Sequence, residues 1–178
     1  ILIGAVVLLA LIAGTSAVTI VPAGHTGVIV TMGKVSDRVL SEGMHLKVPF
    51  AQQIVMMNNK IQKTEIDSNG VSKDLQTVSS GVAINYHINK DDSAKIYQSI
   101  GEGYADTVLQ PAIQESMKAI TAQYTAEELI TKRSEVSANM KDFLQDKLSD
   151  KYIIVDSFNV ISFDFSEAFN KAIEEKQI

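Results

Sequence analysis

The chain has 178 residues, of which 46% are hydrophobic and 21% are charged, which is typical of one sizeable domain or two small ones. Its net charge of −5 argues against nucleic acid as a partner, because phosphate binding requires clustered lysine and arginine. The lack of cysteine excludes disulfides, thiolate zinc sites and cysteine nucleophiles.

The N-terminal segment is the most apolar part of the chain. Residues 1–21 carry no charge, and about 20 apolar residues at roughly 1.5 Å each match a bilayer core of about 30 Å. This predicts a transmembrane helix over residues 1–21. The alternative is a signal peptide, in which "GTSA" would be the small-residue cleavage site. We favour the anchor because the segment is retained in the chain.

A strand-rich region follows the apolar segment. Alternating apolar residues predict short strands near 28–32, 35–40 and 44–48, then an extended stretch interrupted at the two asparagines at 58–59. The sequence "DSNG" at 67–70 predicts a turn. Residues 77–88 alternate strictly, which predicts a strand with one buried face.

The periodicity then changes to that of helices. Residues 91–100 predict a short helix capped by an aspartate, and a longer helix from Tyr104 should kink or break at Pro111. Thr125 and Glu128 have the spacing of a capping box. That box should open a helix with one apolar face, made by Leu129, Val136, Met140, Phe143 and Leu144.

The end of the chain predicts one more strand and one more helix. Residues 152–165 alternate, with a change of phase between Val160 and Ile161 that predicts a bulge or a bend. Ser166 should cap the last helix, which we expect to continue past Ile178 because no C-cap residue follows. The pattern as a whole predicts an α+β fold.

No catalytic, cofactor or metal site is predicted. His25, His45 and His87 lie on separate elements without metal-ligand spacing, and no phosphate-binding loop or G-x-S-x-G elbow is present. Asp156 and Asp164 could form a carboxylate pair, but on a bent strand we expect them to face solvent on opposite sides.

Five segments, in order and in register, are similar to those of the SPFH (Band 7) family of stomatins, prohibitins and flotillins. They are "VPAGHTGVIVTMGKV", "EGMHLKVPF", "SKDLQTVSSGVAINYHI", "YTAEELITKRSEV" and "AFNKAIEEKQI". The resemblance covers about residues 20–178 and is greatest to bacterial prohibitin-type members. It implies a transmembrane anchor at 1–21, a strand-rich subdomain (SPFH1) at 22–90, an α/β subdomain (SPFH2) at 91–165, and the start of a long coiled-coil helix at 166–178.

The resemblance also implies a function that is not enzymatic. Family members pack side by side into large homo-oligomeric rings or cages on membranes, so we expect a scaffold that organises a membrane microdomain. An alternative is a regulator that encloses a membrane-bound AAA protease, and a third, less favoured, is a membrane-anchored hydrolase. The expected partners are membrane lipids and further copies of the chain, at a bacterial cell membrane with a single N-terminal anchor.

Two sets of residues are predicted to carry this function. The first is the apolar segment at the end of the "GMHLKVPF" stretch, which should enter the membrane interface while its lysine reaches the headgroups. The alternative is that these side chains fill the core between the two subdomains. The second set is a seam on the last helix that should pack against neighbouring copies. The membrane-interface residues are Leu46, Lys47, Val48, Pro49 and Phe50, and the oligomerisation residues are Phe169 and Ile173.

Overall fold

The computed structural model describes residues 1–176 and has the predicted α+β composition. The strands are β1 (Val18–Val21), β2 (His25–Thr31), β3 (Lys34–Leu40), β4 (Gly43–Leu46), β5 (Gln52–Asn58), β6 (Gln62–Val71), β7 (Thr77–Ile88) and β8 (Ile153–Phe165). The helices are α1 (Leu2–Ser16), α2 (Ser93–Ser99), α3 (Gln110–Thr121), α4 (Ala126–Thr131), α5 (Arg133–Leu148) and α6 (Glu167–Lys176).

The chain folds into two compact units, and it passes from one to the other three times. Unit 1 comprises residues 1–60 and 88–102, and unit 2 comprises residues 61–87 and 103–178. Contacts therefore group β6 and β7 with the helices of unit 2, and they group α2 with the strands of unit 1. The subdomains that the resemblance implies at 22–90 and 91–165 stay a prediction.

Unit 1 is built from two small antiparallel sheets. Strands β1 and β4 form one pair, while β3, β2 and β5 form the other sheet in that order. Helix α2 lies against β2 and β3. The core consists of alternate strand residues, as expected for sheets with one buried face, namely Val21, Val28, Leu40, Val55 and Met57.

Unit 2 packs helices on one face of a sheet with the strand order β6-β7-β8. The central strand β7 has the predicted alternation, since Val78, Val82, Ile84 and Tyr86 are all buried. Helix α5 supplies the other side of the core through fully buried residues one turn apart, Val136, Met140, Leu144 and Leu148.

Side chains of α5 bind the backbone of β8, which is an edge strand. Polar residues recur every four positions along the helix and so form one stripe. The Ser137 hydroxyl donates to the carbonyl of Phe158 at 2.8 Å, and the backbone N–H of Val155 donates to the Gln145 amide oxygen at 2.9 Å. The stripe thus occupies groups that an edge strand otherwise leaves unpaired. Its members are Arg133, Ser137, Lys141 and Gln145, and they meet the carbonyls of Val160, Phe158, Asp156 and Ile153 respectively.

Strand β8 is irregular, but not only at the position that the sequence predicted. The Arg133 guanidinium donates to the carbonyls of both Val160 and Ile161. Successive carbonyls of a regular strand point in opposite directions, so two adjacent carbonyls that meet one group indicate a local distortion. The buried residues are Ile153 and Val155, then Phe158 and Val160, so the burial pattern changes phase between Val155 and Phe158, earlier than the sequence predicted.

The long helix predicted over residues 1–21 is not what the structure shows. Helix α1 has 15 residues and ends at Ser16, while Val18–Val21 form β1 and pair with β4. The apolar run concealed this boundary because β-branched residues in a strand look the same in a hydropathy pattern as residues of an apolar helix. Within residues 1–176, no helix is both long enough and apolar enough to cross a membrane.

Two further predictions need correction. The "DSNG" segment is not a turn, because residues 67–70 lie inside β6 and pair with residues 78–81 of β7. The helix expected from residue 126 onward is two helices, α4 and α5, with a break at Lys132 (φ −111°, ψ 30°). Neither Gly nor Pro marks that break, so the sequence gives no signal for it.

Several local signals are confirmed. The capping box of Thr125 and Glu128 is formed in both directions, with hydrogen bonds of 3.2 Å and 3.0 Å. A π-helical turn (105–109) immediately precedes α3, in which Pro111 occupies the first turn, so the predicted break falls there. The Ser166 hydroxyl accepts from the Phe169 N–H at the start of α6. The expected continuation of this helix past Ile178 lies outside the described residues.

Candidate functional site

Residues 46–50 comprise the last residue of β4 and part of the loop that leads to β5, and we call them the first tip. Leu46, Val48 and Phe50 are exposed, with Phe50 at 90% of its free surface, whereas Lys47 and Pro49 are half-buried. The Lys47 N–H donates to the Ala17 carbonyl at 2.8 Å, which fixes the loop to the end of α1. The exposure of the three apolar side chains does not favour the alternative in which they fill a core.

A second turn lies beside the first tip. Met32 and Gly33 connect β2 to β3, and the Met32 N–H donates to the carbonyl of Ala51 at 2.9 Å. Both residues have positive φ, 50° and 85°, as a type I′ hairpin turn requires. Met32 is 82% exposed. We call Met32–Lys34 the second tip.

The backbone at both tips is strained. Phe50 has φ 63° and Met32 has φ 50°, a region that costs a bulky L-residue about 1 kcal/mol or more. Burial of the side chain does not offset this cost at either position, because both side chains are almost fully exposed. An exposed, strained apolar residue is a reason to look for a functional role outside the folded chain.

The β1–β4 pair adds an apolar face to the first tip. Val18 lies opposite Leu46 and Ile20 lies opposite Met44, and paired residues share one face of a sheet. All four side chains are exposed, while Val21 on the other face is buried. We call this four-residue surface the ladder. Leu46 belongs to both the ladder and the first tip, so the two are continuous.

Helix α1 is apolar on every side. It contains no charged residue and none of its residues is buried. A helix without a polar face requires an apolar environment around it, because water favours amphipathic surface helices. The chain continues directly from α1 into the ladder, through Ala17.

The charges of the two units differ strongly. Unit 1 has six lysines and arginines against five carboxylates, a net charge of +1, whereas unit 2 has ten against sixteen, a net charge of −6. Residues 1–36 and 43–64 contain no carboxylate. Asp37 and Glu42 lie between these ranges. The backbone N–H of Gly24 and the Lys90 ammonium lower the pKa of Glu42, so that its carboxylate is already bound within unit 1.

The two predicted oligomerisation residues line one groove in unit 2. Phe169 and Ile173 of α6 are half-buried and face a groove of about 490 Å³. The opposite wall is formed by α4, where Ile130 is exposed. Besides these apolar residues, three charged residues line the groove, which are Asp74, Glu127 and Lys176.

A third strained turn lies next to this groove. Leu75, between β6 and β7, has φ 62° and is 83% exposed. Unlike the tips, its turn is tied to a helix by side chains. Asp74 accepts from the Ser72 hydroxyl at 2.5 Å and from the Ala126 N–H at the start of α4 at 3.0 Å. The Ser72 hydroxyl, followed by the Ala126 N–H, lowers the pKa of Asp74.

The histidines do not form a catalytic or metal centre with one another. His87 lies 2.7 Å from Asp156 of β8, a contact that the sequence did not predict. Asp156 is therefore paired rather than simply facing solvent as expected. In the part of the chain that the structure describes, no group of three or more histidine, cysteine, aspartate or glutamate residues could hold a metal ion.

Sequence reasoning found the first tip but missed the second tip and the ladder. The glycine at position 33, between two predicted strands, was the available signal for the second tip. Glycine adopts positive φ readily, as it does here, and is therefore typical of tight hairpin turns. The ladder had no signal in the sequence. Strand β1 was hidden inside the predicted helix, and the pairing that places Ile20 beside Met44 depends on the folded register.

Comparison with known proteins identifies the relatives of this chain. The model of the SPFH domain / Band 7 family matches residues 19–178. Prohibitin-1, mitochondrial, of Arabidopsis thaliana is 31% identical over 159 residues, which are 89% of this chain and 55% of the relative. Prohibitin-2 of Mus musculus is 29% identical over 160 residues, 89% and 54% of the two chains. Prohibitin-1 of Colletotrichum higginsianum is 33% identical over 144 residues, 81% and 52% of the two chains.

The chain thus spans about half the length of the curated relatives that it matches. The five segments that first indicated the resemblance all lie inside or at the margin of the matched range. The family match covers far more than half of the chain, including every strand of both units except the first residue of β1. The chain belongs to the SPFH domain / Band 7 family.

Proposed function

We propose that this chain is a membrane-associated, prohibitin-like scaffold that assembles with further copies of itself and organises a membrane microdomain. The observation that carries the proposal is the continuous apolar surface of α1, the ladder and the first tip in unit 1. Large exposed apolar patches mark interaction surfaces in folded proteins. The role is structural rather than enzymatic.

The chemistry of that surface favours lipid. Helix α1 is uncharged on all sides, and the side chains that follow it are apolar with isolated lysines. Lipid tails solvate such a surface directly, and lysine stems reach from it to the headgroups. In this proposal Leu46, Val48, Pro49 and Phe50 enter the interface and Lys47 contacts headgroups.

Assembly is assigned to the groove beside α6. Phe169 and Ile173 contribute apolar surface that unit 2 only half covers, and Ile130 across the groove is exposed. A helix of this length is marginal alone, so packing must stabilise it. Packing against a neighbouring copy would cover the remaining apolar surface.

Substitution of Ile173 by lysine tests the assembly. A charge in a contact between copies is left unpaired, so we expect Ile173→Lys to shift the detergent-extracted protein from a large particle to small species. Light scattering coupled to size-exclusion chromatography measures the mass. Lys171→Gln on the same helix is the control and should leave the particle unchanged. A full-sized particle from Ile173→Lys would contradict the assignment of this groove.

Co-purification separates the scaffold from the alternative regulator. Isolation of the particle with a stoichiometric membrane-bound AAA protease would favour a ring that encloses that protease. A particle that contains only this chain and lipid favours the scaffold. If the detergent extract contains only monomers, the proposed assembly is wrong for both functions.

A further inference from the structure

We propose that unit 1 carries a second lipid-contacting element, formed by the second tip and the ladder, and that it selects bilayers with anionic headgroups. This inference rests on the proposed membrane association and extends it to residues outside the first tip. The residues are Val18, Ile20 and Met44 of the ladder, and Met32 and Lys34 of the second tip.

The two tips form one contact surface because a backbone hydrogen bond joins them. The Met32 N–H donates to the Ala51 carbonyl at 2.9 Å, directly after Phe50. The Gln52 side-chain amide donates to the hydroxyl of its cross-strand partner Thr31 at 3.4 Å. A bilayer that receives Phe50 is therefore within reach of Met32.

The ladder adjoins the first tip. Leu46 is its shared member, and Met44 and Ile20 follow it at the spacing of a sheet face. All of them are exposed, with Leu46 at 79%. A flat, apolar sheet face without hydrogen-bonding side chains can lie against acyl chains without leaving a buried polar group unpaired.

The charges around this surface indicate the headgroup. Residues 1–36 and 43–64 contain four lysines and no carboxylate, although the whole chain has a net charge of −5. Lys34 follows the strained residue of the second tip, and Lys47 lies inside the first. Lysines beside an inserted apolar residue attract anionic lipids, and nearby carboxylates oppose this. At the second tip, Lys34 and Arg38 balance the carboxylates of Asp37 and Glu102. Lys47 in the first tip has no carboxylate within residues 43–64, so its charge gives the joined surface a preference for a negatively charged bilayer.

Tryptophan fluorescence can test this directly, because the chain contains no tryptophan. We would introduce Met32→Trp, Ile20→Trp, Phe50→Trp and Leu75→Trp one at a time into the full chain. Each variant is reconstituted in vesicles of brominated phosphatidylcholine, with or without phosphatidylglycerol. Brominated acyl chains quench only a tryptophan that contacts them. Leu75→Trp is the matched control, since Leu75 is equally exposed and strained but lies in unit 2.

We expect quenching at positions 20, 32 and 50 and none at position 75. Quenching at position 50 alone would overturn this inference and leave the proposed membrane contact of the first tip intact. Quenching at none of the three would overturn both. A blue-shifted but unquenched tryptophan at position 32 would mean that another copy of the chain covers the second tip, which also overturns the inference.

The charge preference has its own test. In a lipid titration of the Met32→Trp variant, adding Lys34→Gln or Lys47→Gln should weaken apparent affinity for phosphatidylglycerol vesicles about fivefold each. The control Lys171→Gln should not change it, and affinity for pure phosphatidylcholine vesicles should be the same in all variants. Equal affinities for the two lipid mixtures would overturn the anionic preference.

Discussion

The two tips of unit 1 and the Leu75 turn of unit 2 share their two most unusual properties but differ in how they are held. Phe50, Met32 and Leu75 are all bulky, all exposed by more than 80%, and all in the left-handed backbone region. The tips are held to one another by a backbone hydrogen bond. The Leu75 turn is instead tied to α4 by Asp74.

This difference shows that strain and exposure alone do not assign a function. At Leu75 the strain has a local explanation, because the turn must present Asp74 to the start of α4. At the tips the Gln52 side chain accepts from the Val48 N–H at 2.9 Å and donates to Thr31 at 3.4 Å, so the side-chain tether joins the tips to their own strands and not to a helix. The environment of a strained residue therefore distinguishes a structural turn from a candidate contact site.

The largest expected difference between the units is the loss of folding stability when a leucine is replaced by alanine in each of them. Leu144→Ala in α5 should lower the free energy of unfolding by about 2–5 kcal/mol, because it leaves a cavity in a fully buried site. Leu9→Ala in the exposed helix α1 should change it by about 0.5 kcal/mol or less. Chemical denaturation in the same detergent measures both. Equal losses would show that α1 is part of a folded core.

The tether of the Leu75 turn should contribute less than the core. Asp74→Ala removes the acceptor for Ser72 and for the Ala126 N–H, and loss of a helix-capping acceptor costs about 1 kcal/mol. The control is Glu127→Ala in the first turn of the same helix. Differential scanning calorimetry should show a lower melting temperature for Asp74→Ala only. No decrease would mean that the capping box alone secures α4.

Acid should loosen both units through carboxylates that are hydrogen-bonded in the folded chain. The folded pKa values of Glu42, Asp74 and Glu128 are lowered, chiefly by hydrogen bonds from Gly24, Ser72 and Thr125. Their stabilisation is thus present above their unfolded pKa values, about 4, and lost as the pH falls through the lower folded values. A pH series of unfolding curves should show this decrease, and Asp74→Ala should flatten it.

The smallest expected effect is a gain in stability. Asparagine tolerates the left-handed region, so Met32→Asn, Phe50→Asn and Leu75→Asn should each raise the free energy of unfolding by up to about 1 kcal/mol. Pelleting with vesicles should then separate them, since only the first two remove a proposed lipid contact. A destabilised Phe50→Asn would indicate that this side chain packs inside the protein.

The sequence predicted those elements whose signals are local. The capping box at Thr125 and the alternation of β7 each depend on residues a few positions apart, and both are present as expected. Ser166 at the start of α6 is a third example. Such patterns predict the structure correctly because the hydrogen bonds and the buried faces that they specify form within one helix or strand.

The remaining features depend on partners that are distant in the chain. The strand at 18–21 exists because it pairs with 43–46, and "DSNG" is extended because β7 lies opposite it. The contact of His87 with Asp156 joins residues 69 positions apart. For the candidate site, the first tip was visible as an apolar loop, but its connection to Met32 through the Ala51 carbonyl is a tertiary contact.

The polar stripe of α5 has a consequence for how copies of this chain tolerate crowding. Strand β8 is 13 residues long, and an open edge of that length can template the strand of a neighbouring molecule and seed fibres. Side chains of Arg133, Ser137, Lys141 and Gln145 already occupy its carbonyls. Because these carbonyls are occupied, the edge of β8 offers fewer free acceptors to a strand of another molecule, which disfavours strand addition there.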